Sequence, residues 1–182
     1  MIPFIPFPVI ETKHLILRRM ELTDTDDVFE MRSNSGMHKY TDTKPDETRQ
    51  ETRAYIEKMR KGVDENQWII WAIEHQQSKK GIGSINIWNI DIEKGTAELG
   101  YGIIPLYQGK GLMKEALLEV VKYGFEVMNL TALDAYTEEN NINSVNLLEN
   151  CQFKKIHRVD DEGTHNKKIY HMIVYRLKNR MR

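Results

Sequence analysis

A single cysteine, Cys151, stands in the 182 residues, which excludes an intrachain disulfide and any cysteine-built metal cluster. Long apolar runs are missing as well, and none approaches the ~18 residues that a membrane-crossing helix needs. Charge of one sign is not in excess: 26 Lys and Arg face 27 Asp and Glu, for a net charge of -1. That balance argues against gripping nucleic acid or an anionic membrane by bulk electrostatics. There is no Gly-, Ser- or Pro-rich linker and no internal repeat, so residues 1–182 read as one domain. A chain of this size buries roughly 70% of the surface that its unfolded form exposes, and needs no staples. A cytoplasmic setting is the expectation. Proline is scarce and clustered, with Pro3, Pro6 and Pro8 in a greasy first ten residues that lack a basic leader region. The prolines forbid a regular helix there. Residues 1–10 therefore read as an extended apolar arm, packed on the domain or on a second copy in a homodimer, and not as a signal peptide. A short basic tail occupies residues 178–182.

What is present alternates between two periods. His14 to Met20 reads as a strand, after which Thr23 offers a helix N-cap, with Asp24, Asp26 and Asp27 as a solvated first turn. Thr52, Tyr55, Ile56 and Met59 recur at helical spacing, and Gly62 is read as the stop. Trp68 to Glu74, Ile82 to Ile90 and Ala97 to Ile104 are β-rich runs with short connections, which predicts an antiparallel meander. Leu112, Met113, Ala116, Leu117, Val120, Val121 and Phe125 mark the strongest helix. Leu130 to Tyr136, Ile142 to Glu149, Phe153 to Val159 and Ile169 to Leu177 follow as strand, helix, strand and strand. The pattern is a mixed α/β (α+β) fold with one βαβ-like passage.

The most informative stretch runs from Glu98 to Met113, where a strand ends, two glycines follow and the long helix begins. A helix N-terminus offers unpaired N–H groups and about half a positive charge, which suits a phosphate or pyrophosphate. The Walker pattern fails because Gly111 follows Lys110. The dinucleotide fingerprint fails because Pro105 stands where its third glycine belongs. On spacing alone, a phosphate cradle and a merely tight loop both remain open.

Gln108-x-x-Gly111 resembles the Gln/Arg-x-x-Gly-x-Gly/Ala signature of the GNAT superfamily of N-acetyltransferases, with Met113 in place of the last small residue. Tyr107-Gln-Gly-Lys-Gly-Leu-Met113 is similar to the form found in the ribosomal-protein alanine and serine N-acetyltransferases. Thr12 to Arg18, Arg32 to Tyr40, Ala97 to Tyr101 and Asn141 to Phe153 match the same branch in order, although Gln152 replaces a family glycine, so a turn with less extreme dihedrals is expected there. The resemblance spans roughly Thr12 to Leu177. It implies a mostly antiparallel sheet of about seven strands flanked by about four helices, whose fourth and fifth strands splay. It also implies acetyl-CoA as co-substrate and a primary amine as acceptor. That amine is a protein N-terminus in this branch; a polyamine, aminoglycoside or amino acid is the alternative, or a non-catalytic acyl-CoA-binding module.

The resemblance assigns roles residue by residue. Glu98, which alternation places on one face with Gly100 and Gly102, is the expected base. Ser144 is the expected acid beside the departing sulfur, and Asn141 either bonds the pantetheine arm or caps a helix. The N–H groups of Ile103 and Ile104 are expected to meet the pantetheine. Those of Gln108, Gly109, Lys110, Gly111, Leu112, Met113 and Lys114 are expected to meet the phosphates. The acceptor pocket is expected from the loop Asn34 to Thr43, including His38 and Tyr40, together with Trp71, Trp88 and Tyr136. The six histidines show no paired metal spacing, so no metal is predicted. Cys151 reads as a small core residue.

Overall fold

The computed structural model describes residues 4–180. Its eight strands, β1 (Ile10–Glu11), β2 (Leu15–Arg19), β3 (Ile69–His75), β4 (Gly81–Asp91), β5 (Thr96–Ile103), β6 (Ala132–Glu138), β7 (Lys154–Glu162) and β8 (Ile169–Lys178), form one sheet in the order β1-β2-β3-β4-β5-β6-β8-β7. The helices are α1 (Thr25–Ser33), α2 (Arg49–Asp64), α3 (Leu112–Glu126) and α4 (Ile142–Asn150). The strand beyond the expected seven is the two-residue β1, which pairs Ile10 with Leu17.

Every pairing is antiparallel except β5 with β6. A parallel pair needs a crossover, and α3 supplies it. Leu112, Met113, Ala116, Leu117, Val120 and Val121 bury one stripe of α3 against the sheet. Gly124 lets that helix approach Leu133, since a Cβ there would stand 3.1 Å from a Leu133 methyl. The parallel ladder runs only from Thr96–Ala132 to Leu99–Ala135. Beyond it β5 stays with β4 to Ile103 and β6 stays with β8 to Glu138, so the two strands part. This is the splay that the resemblance implies, moved one place along the chain by the extra β1.

Four local readings change, and one is narrowed: the arm packs on the domain, the first of the two places expected for it, with Phe4 buried, Phe7 edge-on to Trp71 at 6.1 Å and the Trp71 indole donating to the Pro8 carbonyl at 2.8 Å. Ile5 and Val9 remain its exposed apolar residues. Residues 1–3 of the arm and 181–182 of the basic tail lie outside the described residues. Thr23 does not cap α1; a 3-10 turn over Leu22–Asp24 precedes the helix. Asp24 is buried rather than solvated, because Arg18 donates to both its oxygens at 2.7 and 3.0 Å and the Glu21 N–H adds a third bond at 2.7 Å. Asp26 pairs with Arg49 and Asp27 accepts the Gly81 N–H, so the triplet splits into three structural roles. Gly62 does not end α2 but lies inside it, under Trp68.

The fourth change concerns Gln152, which follows α4 with φ +67. The left-handed turn is kept without the family's glycine, because the Phe153 N–H still reaches back to the Leu148 carbonyl at 3.0 Å. A left-handed non-glycine residue costs ~1–2 kcal/mol, part of which glycine returns through its freer unfolded chain. Gln152→Gly is expected to stabilise the protein by roughly 0.5–1 kcal/mol, read as a thermal midpoint about 1–4 °C higher.

Candidate active site

The glycine turn sits at the mouth of the β5–β6 gap. After Ile104 a 3-10 turn (Pro105–Tyr107) engages the Gln108 N–H with the Pro105 carbonyl at 3.1 Å, and the Gln108 side chain donates to the Ile103 carbonyl at 2.9 Å. Gln108 is therefore a brace, and its N–H is withdrawn from the expected anion set. Gly109 and Gly111 have φ +71 and +77, and a Cβ at either would meet nothing within 4 Å. Their handedness and the open space above them, rather than close packing, call for glycine. The first helical bond runs from the Glu115 N–H to the Gly111 carbonyl, so the N–H groups of Gly109 to Lys114 have no partner among the described residues. Lys110 lies over the Tyr107 ring at 5.2 Å. Glu115 fastens this turn to the start of β2 by accepting from Thr12 Oγ1, the His14 N–H and His14 Nδ1. Burial pushes that carboxyl up, but the bonds from His14 and Thr12 outweigh it and hold it below its usual range.

Along the gap, alternation decides which backbone groups are free. The Ile104 N–H donates to the Ile82 carbonyl at 2.9 Å, so Gly102 and Gly100 also face β4, while Tyr101 and Ile103 turn their backbone toward the missing β6 partner. Ile104 thus leaves the expected cofactor set, Ile103 stays and Tyr101 joins it. The Tyr101 side chain points to the α3–α4 face, where its hydroxyl lies 2.7 Å from Ser144 Oγ. Burial pushes the Tyr101 phenol up to about 12, which keeps it protonated. Asn141 caps α4 by accepting the Ser144 N–H at 3.3 Å. Thr137, on the same face of β6, is buried, and its hydroxyl has no partner among the described residues. Sequence reasoning missed Tyr101, although the alternation that puts Glu98 with Gly100 and Gly102 puts Tyr101 opposite them.

Glu98 stands on the other face, directly across from Trp88 on β4 and from Asp134 on β6. Asn89 Nδ2 donates to its Oε1 at 2.6 Å. Trp88 and Tyr136 flank it, each 45% exposed. Asp134 is occupied by a two-pronged bond from Arg176. Trp71 is withdrawn from the acceptor set, because it is fully buried against Phe7 and Tyr123 on the α3 side. His38 braces the Asn34 to Thr43 loop: Nε2 donates to the Arg32 carbonyl at 2.6 Å, which leaves Nδ1 to accept from Thr43 Oγ1 at 2.7 Å. Tyr40 is half-buried beneath Lys39.

Two carboxylates tie this loop down, Asp42 within it and Asp46 just beyond it. Asp42 accepts from Thr164 Oγ1 and the His165 N–H, which ties the loop to the β7–β8 turn. Asp46 takes both prongs of Arg32 at 2.7 and 2.9 Å and Thr52 Oγ1 at 2.7 Å. Burial pushes the Asp46 carboxyl up, but the Arg32 and Thr52 bonds and the Arg32 charge win and hold it low. A lowered folded-state value contributes stability above the unfolded carboxyl value of about 3.9, which is lost as pH falls through the folded value. Asp46→Asn is expected to cost about 2 kcal/mol at pH 7 in urea unfolding, and the deficit against the native protein is expected to shrink below about pH 4.

The family model described as "Acetyltransferase (GNAT) domain" matches residues 14–154. The uncharacterized N-acetyltransferase YoaA of Bacillus subtilis is 31% identical over 149 residues, 82% of this chain and 84% of that protein. Among solved structures, the ribosomal-protein-S5-alanine acetyltransferase of Vibrio fischeri superposes with a TM-score of 0.83 at 19% identity, over 95% of this chain and 97% of that one. The spermidine N-acetyltransferase of Vibrio cholerae, solved with CoA and spermine, superposes with a TM-score of 0.79 at 23% identity, over 92% of this chain and 96% of that one. These last two likenesses establish a shared fold.

Proposed function

The chain belongs to the GNAT acetyltransferase family, and from that premise we propose that it acetylates a primary amine presented to Glu98 between Trp88 and Tyr136. The observation that carries this reading is the β5–β6 gap, with an anion cradle at its mouth, Glu98 on one face and Ser144 on the other. Acetyl-CoA, when bound, supplies the acetyl thioester. The residues present fit it: the N–H groups of Gly109 to Lys114 suit its diphosphate, and the Tyr101 and Ile103 backbones suit an amide-bearing arm laid along the gap.

An amine must lose a proton before it can attack. Asn89 occupies Glu98 Oε1 and leaves Oε2 to take that proton. On the far face Ser144 Oγ holds a proton beside the gap, and the Tyr101 hydroxyl stands ready to replace it. The acceptor favoured here is the N-terminal amine of a protein. Two half-exposed aromatic side chains around a carboxylate suit a chain end that enters amine first and leaves its remainder in solvent. A small polyamine is the second reading, because an aromatic pair beside a carboxylate also suits an alkylammonium.

Calorimetric titration with acetyl-CoA tests the donor, and no binding at millimolar ligand overturns the reading. A turnover screen over N-terminal peptides, spermidine and aminoglycosides then separates the acceptors. CoA binding without turnover on any amine would mark a binding module instead.

A further inference from the structure

We propose that Asn86 contacts the acceptor amine, its side-chain carbonyl accepting one N–H while Glu98 takes the proton; this rests on the acetyl-transfer reading above. Asn86 lies on β4 directly opposite Gly100, as Trp88 lies opposite Glu98. Asn86 and Glu98 are thus diagonal neighbours on one face, with backbone positions about 7–8 Å apart, within reach of a single small group held between their side chains. The carboxamide leans over Gly100: a Cβ there would stand 2.4 Å from Asn86 Oδ1. Glycine at 100 is what lets this side chain lie down beside the gap.

Asn86 Oδ1 is buried and has no hydrogen-bond partner among the described residues. Buried acceptors in folded proteins are nearly always paired, because leaving one bare is costly. An asparagine kept only for the fold would bond to a neighbour, and none is supplied here. A carbonyl oxygen waits for a donor, and an attacking amine is the donor that the reaction brings to this face. After Glu98 removes one proton a primary amine still carries two N–H groups. One of them on Asn86 fixes the direction of its lone pair.

The test uses Asn86→Val and Asn86→Ala, in the full chain. Acetyl-CoA affinity by calorimetry is expected to stay within twofold, and kcat/KM for the best amine of the screen to fall by about 10-fold or more. The thermal midpoint of at least one variant is expected to equal or exceed the native value, since a bare buried acceptor has been removed. Loss of midpoint in both variants overturns the proposal, because it shows that Asn86 is bonded within the fold, and this arm needs no acceptor. Unchanged kcat/KM in both variants overturns it as well. Loss of acetyl-CoA binding by the native protein would fail the underlying reading, a separate result.

Discussion

Glu98→Gln is expected to lower kcat for amine acetylation by about 10²- to 10³-fold while leaving acetyl-CoA binding unchanged. The substitution keeps the shape of the side chain, and its carbonyl can still accept the Asn89 bond of 2.6 Å, so the surrounding β4–β5 pairing has no reason to move. What is lost is the second carboxylate oxygen as a place for the amine proton. The effect should depend on pH in a diagnostic way. As pH approaches the acceptor's own value, about 8 for a chain N-terminus, more amine arrives already deprotonated. The deficit of Glu98→Gln should narrow there, whereas damage to packing would persist. Steady-state rates from pH 6 to 10 decide it, and a deficit constant across that range would assign Glu98 to structure.

Gly62→Ala is expected to destabilise the protein by about 2–3 kcal/mol, a fall of roughly 4–12 °C in the thermal midpoint. Helix propensity alone predicts the opposite sign, since alanine is favoured over glycine in a helix interior by ~1 kcal/mol. The new Cβ, however, would stand 2.0 Å from two atoms of the Trp68 indole. That ring cannot turn away freely, because its N–H donates to the Met59 carbonyl at 3.1 Å. Either the indole gives up that bond or α2 moves away from β3. A stabilised Gly62→Ala protein in thermal or urea unfolding would show that the indole relocates at little cost.

The elements with strong periodicity were legible in the sequence. The α3 stripe and the β3–β4–β5 meander lie where the spacing of apolar residues puts them, because one buried face per element imposes its own period. The left-handed glycine turn ahead of α3 was legible too, since two glycines before an amphipathic helix have a local meaning. Positions whose meaning depends on a partner distant in sequence were not. Gly62 looks like a stop until Trp68 folds onto it, and Asp24 looks solvated until Arg18 reaches it from β2. His38 and Trp71 have the chemistry of binding residues, but a carbonyl and a hydroxyl engage the one, and the core encloses the other.

By itself the sequence determined the order of strands and helices, the glycine turn and the exclusion of disulfide chemistry, all of which depend on residue type and local spacing. Tertiary structure alone decided where the β5–β6 ladder stops. Hydrogen bonding between the two strands is a pairing of residues more than thirty positions apart, and no local signal marks the end of it at Leu99 and Ala135. That end point leaves the Tyr101 backbone and the Ile103 N–H facing no strand, while Ile104 stays paired with β4, and it sets Ser144 and Glu98 on opposite sides of one opening. Only the assembled sheet, too, shows that Asn86 Oδ1 is buried without a hydrogen-bond partner among the described residues.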